Sequence, residues 1–194
     1  MDTNMNNLIL IAHPNKDSFC YNGIAKTIKE TLEQNKESVY FVDLYAENKG
    51  FEFHKDKIRE YKALIEWADR IYFISPVYWF RTHPVLEAFF DQIFTPGFAY
   101  KFKPITKKYG VPIPLLKNKK VRTYLTHGAP ALPVLTMYLN SVKLRLVMGV
   151  YSFVFGWFKT KTRQFWSVPF VSHNERMVYL EKVKADIKSD LHSK

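Results

Sequence analysis

Residues 8–18 read Leu-Ile-Leu-Ile-Ala, then His-Pro-Asn-Lys-Asp-Ser, and this stretch decides the fold. Five apolar residues follow one another without polar alternation. That is the pattern of a strand buried on both faces, as in the middle of a parallel sheet. Pro14 stops a simple continuation of the strand, and its neighbours are turn formers. Ser18 stands where a helix N-cap belongs. Beyond it Ile24, Ala25, Ile28 and Leu32 recur at helical spacing as far as Gln34. A buried strand, a short polar loop and a helix together open a βα unit.

The unit repeats outward from there. The sequence predicts strands at 39–44, 70–75, 120–126 and 164–168, and helices at 55–68, 85–94, 134–148 and 174–191. The third strand is expected to end at Pro76. The last helix is expected to bury Met177, Leu180, Val183, Ala185 and Ile187. Residues 95–118, rich in Gly, Pro and Lys, read as a long basic loop of the kind that carries function. Five strands alternating with helices argue for an open parallel sheet with helices on both faces. Ligands on such sheets bind beyond the carboxyl ends of the strands. The loops selected are therefore 13–18, 76–83 and 126–130.

Composition narrows the class. The 194 residues are 47% hydrophobic, enough for one core, so residues 1–194 are read as a single domain. A lone cysteine, Cys20, excludes a disulfide framework and a cysteine-based zinc site. No histidine has metal-ligand spacing, so no metal is expected. The net charge is +11, and residues 101–163 hold 13 basic and no acidic side chains. Such a stretch suits an anionic partner: the phosphates of a nucleotide or an anionic membrane surface. Nucleic acid is not expected, because no recognised module accompanies the charge. The polar, acidic start lacks the basic region of a signal peptide. The longest apolar stretch, 146–158, is shorter than the roughly 20 residues of a spanning helix. A cytoplasmic location is expected.

Each loop has two readings. Ser18 is a plain N-cap, or else it holds an anion together with the first amides of the helix and His13. Neither GxGxxG nor GxxxxGK[ST] occurs, which argues against a conventional nicotinamide Rossmann site and a P-loop. In Pro76-Val-Tyr-Trp-Phe80, three consecutive aromatics cannot all be core. They receive a flat aromatic ligand or form a contact between chains. Thr126-His-Gly-Ala129 is a small-residue turn that lets backbone approach a ligand. Cys20 is either a thiol of lowered pKa at a helix start or a buried structural one.

Four of these features, in order, resemble the flavodoxin-like NAD(P)H:quinone oxidoreductases, including the two-electron quinone reductases of the DT-diaphorase type. They are His13-Pro14…Ser18-Phe19, Asp43-Leu44-Tyr45, Pro76-Val-Tyr-Trp-Phe80, and Gly97-Phe-Ala-Tyr100 after Phe90-Asp91. The resemblance is clear over residues 8–130. It implies a flavodoxin-like sheet of order 2-1-3-4-5 and a non-covalent FMN or FAD. It implies hydride transfer from NAD(P)H to a quinone or another flat acceptor, and a homodimer. By likeness, His13, Ser18, Phe19 and Cys20 hold the flavin phosphate. Pro76, Val77, Tyr78, Trp79 and Phe80, with Thr126, His127, Gly128 and Ala129, hold its ring. Phe98 and Tyr100 line the substrate pocket or the dimer contact. His127, and less specifically Tyr138, are the catalytic candidates, with His127 donating to the flavin edge where charge develops on reduction. Two departures stand out: Cys20 where the family commonly has Asn, and Thr126-His127-Gly128-Ala129 where it commonly has Thr-Thr-Gly-Gly. The alternative is a flavin-binding regulatory subunit docked on a potassium-efflux type of membrane transporter.

Overall fold

In the computed structural model, which describes residues 4–48 and 50–192, Asn6–Ile11 form strand β1 at the centre of the molecule. Leu8 and Leu10 point to one face of the sheet and Ile9 and Ile11 to the other, all essentially inaccessible to water. This double burial is why the run needs no alternation. A π-helical segment, Phe19–Ala25, follows Ser18 and runs directly into helix α1, Lys26–Gln34.

The chain continues through β2 (Ser38–Asp43), a single turn α2 (Leu44–Glu47), α3 (Lys55–Trp67), β3 (Arg70–Tyr78), β4 (Arg81–Thr82) and α4 (Pro84–Ile93). Then come β5 (Tyr100–Pro104), β6 (Gly110–Pro114) and β7 (Lys120–Thr126). Short helices α5 (Ala131–Thr136) and α6 (Ser141–Leu144) lead into a second π-helical segment, Arg145–Tyr151, and α7 (Ser152–Val154). Strand β8 (Thr160–Phe165) and helix α8 (His173–His192) complete it.

The sheet order is β2-β1-β3-β7-β8 with every pair parallel, the flavodoxin-like order expected. On one face Leu8, Leu10, Ile71 and Phe73 pack with α3, α4 and residues 142–155. On the other, Ile9, Ile11, Tyr72, Ile74, Tyr124 and Phe165 pack with residues 19–32 and with Val183 and Ile187 of α8.

Several boundaries differ from the sequence reading. Strand β3 does not stop at Pro76. Ile74 turns its carbonyl toward β1, where it accepts from the Ala12 N–H. Residue 76 faces the same side, past the last β1 partner, so its missing N–H costs no ladder bond. The basic loop at 95–118 contains an antiparallel hairpin, with Tyr100 opposite Pro114 and Pro104 opposite Gly110. The Tyr-Lys-Phe-Lys alternation carries the strand period, masked by charge and proline. The helix expected at 134–148 breaks at Leu139 and Asn140, both left-handed, with φ of 48° and 49°. The last strand is Thr160–Phe165 rather than 164–168, because Ser167 turns with φ 52° and Val168 bonds back to His127.

Helix α8 departs most from its pattern. Met177 and Ala185 are exposed, and the buried inward positions are Val183, Asp186, Ile187 and Asp190. The two carboxylates are drawn in by the strands beneath. Arg122 donates from Nε and Nη2 to Asp190, at 2.6 and 2.7 Å, and its Nη1 lies 3.1 Å from Asp186. Lys161 reaches Asp190 at 2.9 Å, and Arg163 grips Asp186 with two nitrogens. Part of the positive excess of 101–163 is thus compensated by the last helix. Arg145 likewise pairs with Glu87 of α4.

Candidate functional site

Beyond the carboxyl ends of β1, β3 and β7 lies an open cleft of about 450 Å³. It is lined by His13, Asp17, Ser18, Phe19 and Cys20 from the first loop, and by Pro76, Val77 and Tyr78 from the second. Thr126, His127 and Gly128 come from the third, Val168 and Pro169 from the β8–α8 connection, and Arg176 from the first turn of α8. The three loops selected by topology meet here.

The first wall is a helix start. Ser18 has extended backbone (φ −69°, ψ 158°), and its Oγ accepts from the Tyr21 N–H at 3.3 Å. The Ser18 O–H can still donate outward, and the amides of Phe19 and Cys20 precede any intrahelical acceptor. His13 Nδ1 accepts from the Asn15 N–H at 3.0 Å, and burial lowers its pKa despite that bond. Cys20 is 2% exposed and its Sγ lies 3.1 Å from Thr126 Oγ1, tying the first loop to the third. Burial pushes this thiol up to about 12, so the structural reading of Cys20 holds and the reactive one does not.

The second wall is strained. β3 and β4 form an antiparallel pair, with Val77 opposite Thr82 and Tyr78 opposite Arg81. The two residues between are Trp79 and Phe80, with φ of 49° and 60°. This is a two-residue hairpin turn normally filled by Asn-Gly or Gly-Gly. Bulky residues in left-handed backbone are genuine outliers, and such outliers cluster at functional sites. Trp79 is 91% exposed. Phe80 packs on Tyr138, ring centroids 4.3 Å apart. Trp79, Phe80 and Tyr138 therefore border the cleft at the hairpin tip and do not line it. Glu87 secures the base of the turn, accepting from the Thr82 N–H and hydroxyl and from Arg145.

The third wall is clamped to the β8–α8 connection. The His127 N–H donates to the Phe165 carbonyl at 2.8 Å, and its carbonyl accepts from Val168 at 2.9 Å. Ala129 accepts from Ser167. The His127 ring is tilted against Trp166, and its Nε2 lies 3.0 Å from Gln164 Oε1. That oxygen selects the Nε2–H tautomer. Burial lowers the ring pKa to about 4, with the Gln164 bond opposing, so the imidazole is neutral at pH 7. Both the ring N–H and the backbone N–H of His127 are therefore spent within the protein. The amides of Gly128 and Ala129 meet no protein acceptor among the described residues. A Cβ built on Gly128 meets nothing within 4 Å.

Four lining residues escaped the sequence reading: Asp17, Val168, Pro169 and Arg176. Arg176 is the most informative. One nitrogen donates to the Val168 carbonyl at 3.1 Å, while its Nε is buried with no partner. Its only sequence signal is a basic residue in the first turn of the last helix. Phe98 and Tyr100 lie outside the lining. Lys62 sits over the Phe98 ring, and Tyr100 packs against Phe102 and Phe153 at the hairpin base. Among the described residues no group of three or more His, Cys, Asp or Glu could hold a metal, and no helix is long and apolar enough to cross a membrane.

An open α/β sheet with its cleft at the carboxyl ends of the strands defines a doubly wound ligand-binding fold. The family model described as "Flavodoxin-like fold" matches residues 5–145, and the chain belongs to that family. A Haemophilus influenzae protein named as an uncharacterized NAD(P)H oxidoreductase is 29% identical over 137 residues, 64% of this chain and 65% of that one. The chain spans between about half and two thirds of the length of the curated relatives it matches. Among solved structures, an NAD(P)H:quinone oxidoreductase from Methanothermobacter marburgensis superposes with a TM-score of 0.79 at 18% identity. It covers 99% of this chain and all of that one. An FMN-dependent NADH-azoreductase from Bacillus anthracis, solved with FMN, gives 0.75 at 15% identity, covering 96% of this chain and all of that one.

Proposed function

We propose that this protein is a flavin-dependent NAD(P)H oxidoreductase that passes a hydride from NAD(P)H, through non-covalent FMN or FAD, to a quinone-like flat acceptor. The observation that carries the reading is the convergence of three loops on one cleft whose phosphate end holds donors without acceptors. These are the Ser18 hydroxyl and the amides of Phe19 and Cys20, with the Arg176 side chain in the same lining, and together they fit a phosphate. Relatives and neighbours named as NAD(P)H oxidoreductases, quinone reductases and an FMN-dependent azoreductase support the same reading.

The bound flavin supplies the hydride chemistry. The chain's residues position and polarise it. Pro76, Val77 and Tyr78 on one side, and Thr126, His127 and Gly128 on the other, would bracket the ring. The Gly128 amide would be the donor offered to the edge where negative charge develops on reduction, while Ala129, expected at the ring, lies outside the lining. His127, neutral and bonded to Gln164, is a positioning residue that fixes this loop. We assign it no proton transfer. Tyr138 supports the strained Trp79–Phe80 turn.

The rim points to a homodimer. Trp79 at the hairpin tip and Leu132, Leu135, Met137, Tyr138 and Leu139 in the segment after the third loop are exposed apolar side chains. A second copy seated there would complete the acceptor side, and Phe98 and Tyr100 belong to the acceptor site only through such a copy. The alternative of a regulatory subunit on a transporter gains no observation from the structure. The test is the visible spectrum of the purified protein. It should take up FMN or FAD, bleach anaerobically with NADH or NADPH, and recolour with a quinone. A colourless chain that takes up neither flavin would refute the reading, and sedimentation as monomer alone at micromolar concentration would refute the dimer.

A further inference from the structure

The β5–β6 hairpin is held from one side only. β6 is half-buried and lies against α7, the Leu115 N–H donates to the Ala99 carbonyl, and Tyr100 packs on Phe153. β5 and the turn form the outer side, where every residue from Lys101 to Tyr109 is exposed. We propose that this outer side docks on an anionic lipid bilayer, a role separate from the cleft and independent of the flavin reading.

Two observations point to it. The first is charge. Lys101, Lys103, Lys107 and Lys108 stand on the outer side, and no acidic residue occurs between Asp91 and Glu175. The cations of β7 and β8 are answered by carboxylates of α8, but these four lysines make no ion pair among the described residues. The second is apolar exposure. Phe102, Ile105 and Tyr109 are 56%, 60% and 63% exposed among those lysines. The turn does not need their side chains for its shape. The Tyr109 carbonyl closes it, accepting from the amides of Ile105 and Thr106 at 2.8 and 3.0 Å, and Thr106 Oγ1 accepts from the Lys108 N–H. Lysines alone on an outer strand are ordinary protection against edge pairing. Exposed phenylalanine, isoleucine and tyrosine between them undo that protection. Basic and apolar side chains interleaved suit a charged surface over hydrocarbon, where lipid headgroups take the ammonium groups and the acyl boundary takes the apolar ones.

The choice of occupant follows from the same residues. All four cations are lysine and none is arginine, whereas protein interfaces are enriched in arginine and depleted of lysine. A flexible ammonium suits a diffuse layer of charge better than one shaped carboxylate. A two-fold contact through the turn would set the lysines of one copy against the same lysines of the other. Single-stranded nucleic acid is gripped by aromatic rings that stack on bases, and the aliphatic Ile105 offers none.

Co-sedimentation of the full-length protein with vesicles tests this. Vesicles of phosphatidylcholine with about a third phosphatidylserine should carry the protein down at about 0.1 M salt, and pure phosphatidylcholine vesicles should not. Lys107→Gln with Lys108→Gln should weaken binding about 30-fold, since each lysine near such a surface is worth a factor of about five. Ile105→Ser with Tyr109→Ser should weaken it about tenfold at unchanged charge. Lys26→Gln with Lys29→Gln removes the same charge from α1, which packs on the opposite face of the sheet, and should leave binding unchanged. The proposal is overturned if the anionic vesicles leave the protein in solution or if neutral vesicles bind it equally. A loss in the Lys26–Lys29 pair equal to that in the Lys107–Lys108 pair would reduce the effect to net charge and overturn it. Full binding by the Ile105–Tyr109 pair would do the same. Conversion of a vesicle-free dimer to monomer by that pair would make the turn a contact between copies, and binding of duplex DNA as tight as that of vesicles would assign it to nucleic acid; either result overturns the lipid reading.

Discussion

Replacing Trp79 by glycine should make the flavin-free protein more stable. In left-handed backbone an L-residue costs about 1–2 kcal/mol, a cost that glycine escapes. Glycine gives back roughly 0.5–1 kcal/mol through the greater freedom of the unfolded chain. Trp79 is 91% exposed and makes no ring contact among the described residues, so removing it sacrifices almost no burial. The net gain is about 0.5–1 kcal/mol. For a chain of this size that raises the melting temperature by about 1–4 °C. Phe80→Gly is the control. It relieves the same kind of strain (φ 60°) but loses the ring contact with Tyr138, worth about 0.5–1.5 kcal/mol, and should show no gain. Both variants are to be melted without flavin at low protein concentration, then titrated with flavin. A lower melting temperature for Trp79→Gly, or a larger gain for Phe80→Gly, would show that the turn is not strained as argued.

Gly128→Ala should leave the flavin-free protein within about 0.5 kcal/mol of wild type, since the added methyl meets no protein atom. Its flavin affinity should nevertheless fall, about tenfold or more by fluorescence titration, because the methyl enters the cleft; undiminished affinity would place the ring elsewhere. Removing Arg122, as in Arg122→Leu, leaves Asp190 with Lys161 and Asp186 with Arg163 but forfeits buried charge-assisted hydrogen bonds, and should cost about 1.5–3 kcal/mol in chemical denaturation. Burial raises the Asp190 pKa, but Arg122 and Lys161 outweigh it and hold the carboxyl below its ordinary value of 3.8. Its stabilising effect is therefore complete above pH 4 and lost as pH falls further, so acid melting of wild type should steepen there while Asp190→Asn shows a flatter profile. The Cys20 thiol, pushed up to about 12, should resist alkylation at pH 8 in the native protein and react on unfolding; ready native alkylation would contradict its burial.

The centre of the fold was legible because Leu8–Ala12 and Ile71–Ile74 are buried on both faces, and burial of that kind leaves an unmixed apolar signature. The cleft was legible for a topological reason: loops after β1, β3 and β7 must share one edge. What stayed hidden was decided by partners far along the chain. Asp186 and Asp190 look like a solvated helix face until Arg122 and Arg163 are placed beneath them. Arg176 carries no motif, and only the return of α8 brings it to the cleft. The hairpin at 100–114 was masked because lysine and proline dominate its composition, although every second residue from Tyr100 to Phe102 follows a strand period. His127 was singled out correctly as a member of the third loop. Its tautomer was beyond reach, because that depends on Gln164, 37 residues away.

The pairing of β7 and β8 with α8 also has a temporal side. Synthesis runs from the amino terminus, and the basic stretch 101–163 emerges before any of its compensating carboxylates on α8. Until Asp186 and Asp190 arrive, Arg122 has no anion to accompany it into the interior, and a lone buried guanidinium is prohibitively costly. A nascent chain stalled before residue 186 would present Arg122, Lys161 and Arg163 to whatever polyanion lies nearest. The last helix covers Arg122 and supplies its anions in the same step.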